Sequence, residues 1–89
     1  MRFEVLVEVR LRPGIADPQG ATVERALPAL GFEGVEEVRV GKSIRFTVEA
    51  PDEEAARATV ARLAENLLAN PVIEDAAVEL APAGAGVGR

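Results

Sequence analysis

Between Phe3 and Leu11 the odd positions are Phe3, Val5, Val7, Val9 and Leu11, while Glu4, Glu8 and Arg10 take three of the even ones and Leu6 is the exception. A period of two sends alternate side chains to opposite faces, so this stretch is a strand with one face turned to a core. Such a strand needs an apolar cover, and two later segments offer one at helical spacing. Arg12-Pro13-Gly14 ends the strand, and Asp17-Pro18 supplies an N-cap acceptor followed by a proline where a helix tolerates a missing N–H. Val23, Ala26, Leu27 and Leu30 then share a face, and Gly31-Phe32 reads as a left-handed cap with a contact back to Leu27. Pro28 cannot donate to the carbonyl of Glu24, so the last turn is expected to kink or fray.

Residues 35–40 and 44–48 read as two further strands, with Gly41-Lys42 as a tight hairpin connection. Pro51-Asp52-Glu53-Glu54 places acidic groups at the positive end of a second helix, whose apolar stripe is Ala56, Val60, Leu63, Ala64 and Leu67 and whose stop is Asn70-Pro71. Residues 72–80 form a last strand with Val78 and Leu80 facing in. The order βαββαβ predicts an α+β, ferredoxin-like fold: an antiparallel sheet with two helices on one face. The other face falls to Glu4, Leu6, Glu8, Arg10, Arg39, Arg45 and Glu49. Residues 1–81 are expected to be one domain, and residues 82–89, rich in Gly and Ala, a disordered tail.

The chain of 89 residues carries ten basic and fifteen acidic side chains, a net charge of −5, which disfavours nucleic acid and anionic lipid as partners. No apolar run approaches the roughly 18 residues of a membrane span, and the start alternates in polarity rather than building a signal peptide, so a cytoplasmic protein is expected. Cys, His, Trp and Tyr are absent. Without a thiolate nucleophile or an imidazole base or ligand, no catalytic residue, metal site or cofactor is expected, and activity of the isolated chain is not.

Two motifs admit a functional reading beside the structural one. Capping explains Asp17 and Pro18 of Asp17-Pro18-Gln19-Gly20, but Gly20 in a first turn costs about 1 kcal/mol relative to alanine. A glycine there signals close approach by a neighbouring element, a partner chain or a ligand. Gly41-Lys42 carries the sole lysine, either as a solvated turn charge or as a contact. Asn70 reads first as a helix stop, and its amide could also face a partner. Asp17, Gln19, Gly20, Gly41, Lys42 and Asn70 are therefore the candidate partner-binding residues.

Taken in order, Asp17-Pro18-Gln19-Gly20, Leu30-Gly31-Phe32, Val38-Arg39-Val40-Gly41-Lys42 and Leu67-Leu68-Ala69-Asn70-Pro71-Val72-Ile73-Glu74 resemble the PurS family, the small subunit of bacterial and archaeal phosphoribosylformylglycinamidine synthase. The likeness runs from the first strand to about Leu80. It implies a non-catalytic subunit in purine biosynthesis that bridges a PurQ-type glutaminase and a PurL-type synthetase, aids ammonia transfer, and self-associates as dimers or tetramers. The alternative is a small-molecule-binding regulatory domain of the ACT type, which shares the fold and often a Pro-Gly after its first strand, as Pro13-Gly14 here. The inserted Asp17-Pro18-Gln19-Gly20 counts against it.

Overall fold

The computed structural model describes residues 1–86. Three strands form one antiparallel sheet in the order β2-β1-β3: β1 (Arg2–Leu11), β2 (Lys42–Glu49) and β3 (Glu74–Pro82). The alternation of β1 does what its period requires, because Phe3, Val5, Val7 and Val9 are almost wholly buried on one face. Helix α2 (Glu53–Leu63) covers that face with Ala56 and Val60, and Ala64 beyond it is buried too. Partly buried Ile44, Phe46, Val48, Val78 and Leu80 close the core from β2 and β3. This is the ferredoxin-like α+β arrangement, and among the described residues no helix is long and apolar enough to cross a membrane.

Leu6, the exception to the alternation, is only 4% exposed although it points away from α2. It sits on the central strand opposite Arg45 of β2 and Glu79 of β3. Long charged side chains lay their aliphatic stems over such a neighbour while their charged ends stay in water. The open face is therefore not purely polar.

The second expected strand does not form. Residues 35–40 carry no ladder pairing, and Glu37 adopts a left-handed φ of 56° that interrupts extension. The expected hairpin at Gly41-Lys42 fails for a related reason. Lys42 is already paired with Val9 as the first residue of β2, so Gly41 alone remains as a connection, too short for a hairpin turn. Instead the segment runs beside helix α1 (Pro18–Ala26), where carboxylates take its amides: Val38 N–H donates to Glu24 Oε1 at 3.0 Å and Val40 N–H to Asp17 Oδ2 at 2.7 Å. Arg39, expected on the sheet face, donates to the carbonyl of Ile15 at 2.9 Å.

Helix α1 adds no residue to the core cluster. Only Gly20 of it is buried, while Val23 and Ala26 of its apolar stripe are exposed and Leu27 is half-buried. Pro28 ends it as expected, giving way to a 3-10 turn, Pro28–Leu30, and then Gly31 at φ 89°, with Phe32 N–H donating to Leu27 O. Leu30 is left 69% exposed. With α1 and residues 35–40 standing off the sheet, the chain measures 52 × 29 × 15 Å with a radius of gyration of 16.5 Å. A compact domain of this length would have about 12 Å.

The end of the second helix corrects another expectation. After Leu63 a π-helical turn, Ala64–Leu68, closes with Ala69 N–H donating to Ala64 O at 2.9 Å. A π turn takes more residues than an α turn and so rotates the side chains beyond it. Leu68 accordingly packs on the core, and Leu67, expected there, is 75% exposed. The turn at residues 70–73 then delays β3 to Glu74. At its far end β3 runs through Pro82, Ala83 N–H donates to Arg2 O at 3.0 Å and Gly86 N–H to Glu4 Oε2 at 2.8 Å. The segment expected as a disordered tail thus begins with bonded backbone, and its residues 87–89 lie outside the described residues.

Candidate partner interface

Asp17 is the hub that joins α1 to the start of β2. Its Oδ1 accepts the Gly20 N–H at 2.8 Å, the expected N-cap bond, and its Oδ2 accepts the Val40 N–H. The side chain is only 5% exposed, with Arg39 Nε 4.0 Å away. These groups set its acidity. The backbone N–H of Gly20, then that of Val40, and after them the Arg39 guanidinium hold the carboxyl below its ordinary value of 3.8, against the partial burial that pushes it up.

Gly20 and Gly41 each have a steric reason to be glycine. A Cβ on Gly20 would lie 2.2 Å from Val38 O, and one on Gly41 would lie 2.7 Å from Val9 O. Of the three causes that a first-turn glycine admits, a neighbouring element is the one present: residues 38–40 are drawn against α1 by Asp17 and Glu24, and only a missing side chain makes room.

Four of the six candidate residues come together. Asp17, Gln19, Gly41 and Lys42 line one cleft of about 400 Å³, floored by Val9 and Leu11 and walled by Ile73 and Glu74. Gly20 is buried, and neither it nor Asn70 lines the cleft. Asn70 organises the turn leading to that wall: its Oδ1 accepts the Val72 N–H at 3.1 Å, its carbonyl accepts the N–H groups of Ile73 and Glu74, and its own N–H donates to Glu74 Oε1 at 2.7 Å. Arg12 holds the same turn through Pro71 O at 2.7 Å.

A second cleft of about 360 Å³ adjoins on the β1–β2 side, sharing Gly41 and Lys42 and adding Glu8, Arg10, Arg39 and Ser43. Arg10 escaped the reading of the sequence, where it is one polar residue of an alternating strand. The signal that could have found it is its place next to Val9, the residue that pairs with Lys42.

Residues 4–82 match the family model described as PurS: Phosphoribosylformylglycinamidine (FGAM) synthase. The phosphoribosylformylglycinamidine synthase subunit PurS of Synechocystis sp. is 45% identical over 78 residues, which cover 88% of this chain and 78% of that protein. Among solved structures, PurS of B. subtilis superposes with a TM-score of 0.82 at 36% identity, covering 90% of this chain and 99% of that one. A chain of the PurLQS structure from Thermotoga maritima gives a TM-score of 0.82 at 37% identity, with 91% and 99% covered.

Proposed function

Since this chain belongs to the PurS family, we propose that it is the small, non-catalytic subunit of a phosphoribosylformylglycinamidine synthase, acting in purine biosynthesis in the cytoplasm. It assembles with a PurL-type synthetase and a PurQ-type glutaminase, bridges them and helps ammonia pass between them. The observation that carries this reading is the family match across nearly the whole folded chain, residues 4–82. The relative in the Thermotoga maritima structure is similar over 91% of this chain and 99% of its own, so the two share almost the entire fold. The residue inventory supports a non-catalytic role, because a chain without Cys or His offers neither the thiolate nor the imidazole that glutamine hydrolysis commonly employs.

The contact surface in this reading is the cleft around Asp17, Gln19, Gly41 and Lys42, with Gly20 and Asn70 supporting the segments that line it. The subunit also self-associates. Val23, Leu30, Phe32 and Val35 are exposed apolar side chains on or after α1, and the outer edge of β2 has no strand beside it among the described residues. Both features favour burial against a second copy.

Co-expression with PurL-type and PurQ-type subunits tests the reading. The three proteins should purify together, and adding this chain to the other two should raise glutamine-dependent synthesis. Sedimentation equilibrium of the chain alone should give at least twice 9.4 kDa. Failure to associate with either larger subunit, together with no effect on synthesis, would refute the assignment.

A further inference from the structure

In a chain with ten basic and fifteen acidic side chains, three cations, Arg10, Arg39 and Lys42, line one cleft with Glu8 as its only acid. Arg39 is held by Ile15 O and lies beside Asp17. The side chains of Arg10 and Lys42 have no hydrogen-bond or ion-pair partner among the described residues, although Asp75 stands opposite Arg10 in the β1–β3 ladder; Arg12, by contrast, meets Pro71 and Asp75, and Arg57 meets Glu53. Lys42 pairs with Val9 and so lies on the helix-covered face, while Arg10 lies on the other face of the sheet; both reach the same cleft at the end of the β1–β2 ladder, where Arg10 Cγ lies 3.4 Å from where a Cβ on Gly41 would sit. Ser43, opposite Glu8, adds a hydroxyl at the rim.

Resting on the subunit reading above, we propose that this cleft receives an acidic segment of one of the larger subunits, whose carboxylates meet Arg10 and Lys42. Charge complementarity selects the occupant: three cations against the single acid Glu8 in one cleft, in a chain whose net charge is −5, are a local reversal of the overall field. The cleft does not suit a small anion. Arg10, Lys42 and Ser43 are all exposed, and the N–H of Gly20 at the nearby helix start is already taken by Asp17. A free phosphate would have to immobilise two long, mobile side chains by itself. A protein segment brings several carboxylates at fixed spacing and covers the cleft, so the ordering is shared across a whole interface.

Charge reversal tests this in the full chain. Arg10→Glu, Lys42→Glu and the pair are compared with Arg62→Glu, which reverses an exposed cation on α2 that lines neither cleft. Affinity for the co-purified larger subunits is measured at low and at raised salt. The pair should weaken binding by at least about tenfold at low salt, and added salt should shrink the difference from wild type, because exposed charges are screened. Arg62→Glu should stay within about twofold of wild type. Circular dichroism melts establish that each variant is folded, and Lys42→Gln with Arg10→Gln, which remove charge without reversing it, should give intermediate losses.

Wild-type affinity in the folded pair overturns the proposal, as does an equal loss in Arg62→Glu or a loss that salt does not change. Saturable binding of inorganic phosphate at Arg10 and Lys42 with subunit affinity intact would assign the cleft to a small anion instead. Dissociation of the homo-oligomer by the pair, with binding to the larger subunits intact, would assign it to a second copy. If wild type itself binds neither larger subunit, the subunit reading fails, an outcome separate from all of these.

Discussion

Replacing Gly20 by alanine sets two effects of opposite sign against each other. On helix propensity alone the change should stabilise the protein by about 1 kcal/mol, since glycine is that much worse than alanine inside a helix. The new Cβ, however, would lie 2.2 Å from Val38 O, and that carbonyl would have to withdraw by about 0.8 Å to reach even 3.0 Å. Backbone cannot yield as a side-chain tip does, and overpacking of this kind costs about 1–3 kcal/mol. Moving Val38 also strains the bond from its N–H to Glu24 Oε1, where loss of a hydrogen bond to a charged group adds about 1.5–3 kcal/mol if complete. Partial loss of that bond, added to the overlap and set against the propensity gain, leaves a net destabilisation of about 1–4 kcal/mol. Urea unfolding followed by circular dichroism reads this directly, at one fixed protein concentration because self-association contributes to apparent stability. Ala58→Gly on the exposed side of α2 reports propensity without a clash and should destabilise by about 1 kcal/mol. If Gly20→Ala instead stabilises the protein by as much as Ala58→Gly destabilises it, the packing of residues 38–40 against α1 is not what holds position 20 to glycine.

Three further outcomes rest on the same geometry. Glu37→Gly relieves a left-handed residue at φ 56° and should raise stability by up to about 1 kcal/mol, read as a higher urea midpoint; a lower midpoint would mean that the Glu37 side chain contributes to folding. Because hydrogen bonds from the Gly20 and Val40 N–H groups lower the folded-state pKa of Asp17, its contribution is fully present above 3.8 and is lost as pH falls through the lower folded value, so Asp17→Asn should flatten the loss of melting temperature in acid; equal acid profiles would refute this. A chain ending at Pro82 loses the bonds from Ala83 to Arg2 and from Gly86 to Glu4 and should unfold at lower urea, by about 1–2 kcal/mol once the entropy of ordering the segment is set against them; an unchanged midpoint would show that these bonds do not outweigh that entropy.

Period and punctuation made much of this molecule legible. Alternation in β1 identified its buried face, Asp17 announced a cap that the structure confirms at 2.8 Å, and Pro28 with Gly31 marked where α1 gives way. What escaped was whether backbone has a partner. Residues 35–40 have strand composition, yet Val35 is out of phase with Val38 and Val40, and the break falls at Glu36-Glu37, where the chain turns left-handed. The acceptors that then claim its amides, Glu24 and Asp17, lie 14 and 23 residues away, beyond any local pattern. Leu67 and Leu68 exchanged roles for a similar reason, since helical spacing presumes one kind of turn throughout. At the candidate site, Asp17, Gln19, Gly41 and Lys42 could be singled out by residue type. The fact that they line one cleft, with Arg10 alongside, depends on how β1 and β2 pair.

The wide turn at Ala64–Leu68 amounts to a splice in the helix, one residue more than a regular turn holds. Slack of that kind separates two phase requirements: α2 must present Ala56 and Val60 to β1, and the chain must still arrive at Asn70 aimed to start β3 opposite Leu11. A chain shorter by one residue between Glu65 and Leu67 can close the same span as ordinary α-helix, keeping Ala64 in place and bringing a leucine to the position that Leu68 now fills. The helix end can therefore absorb a unit change in length without disturbing the sheet, whereas the same deletion inside β1 would turn every later side chain of that strand to the opposite face.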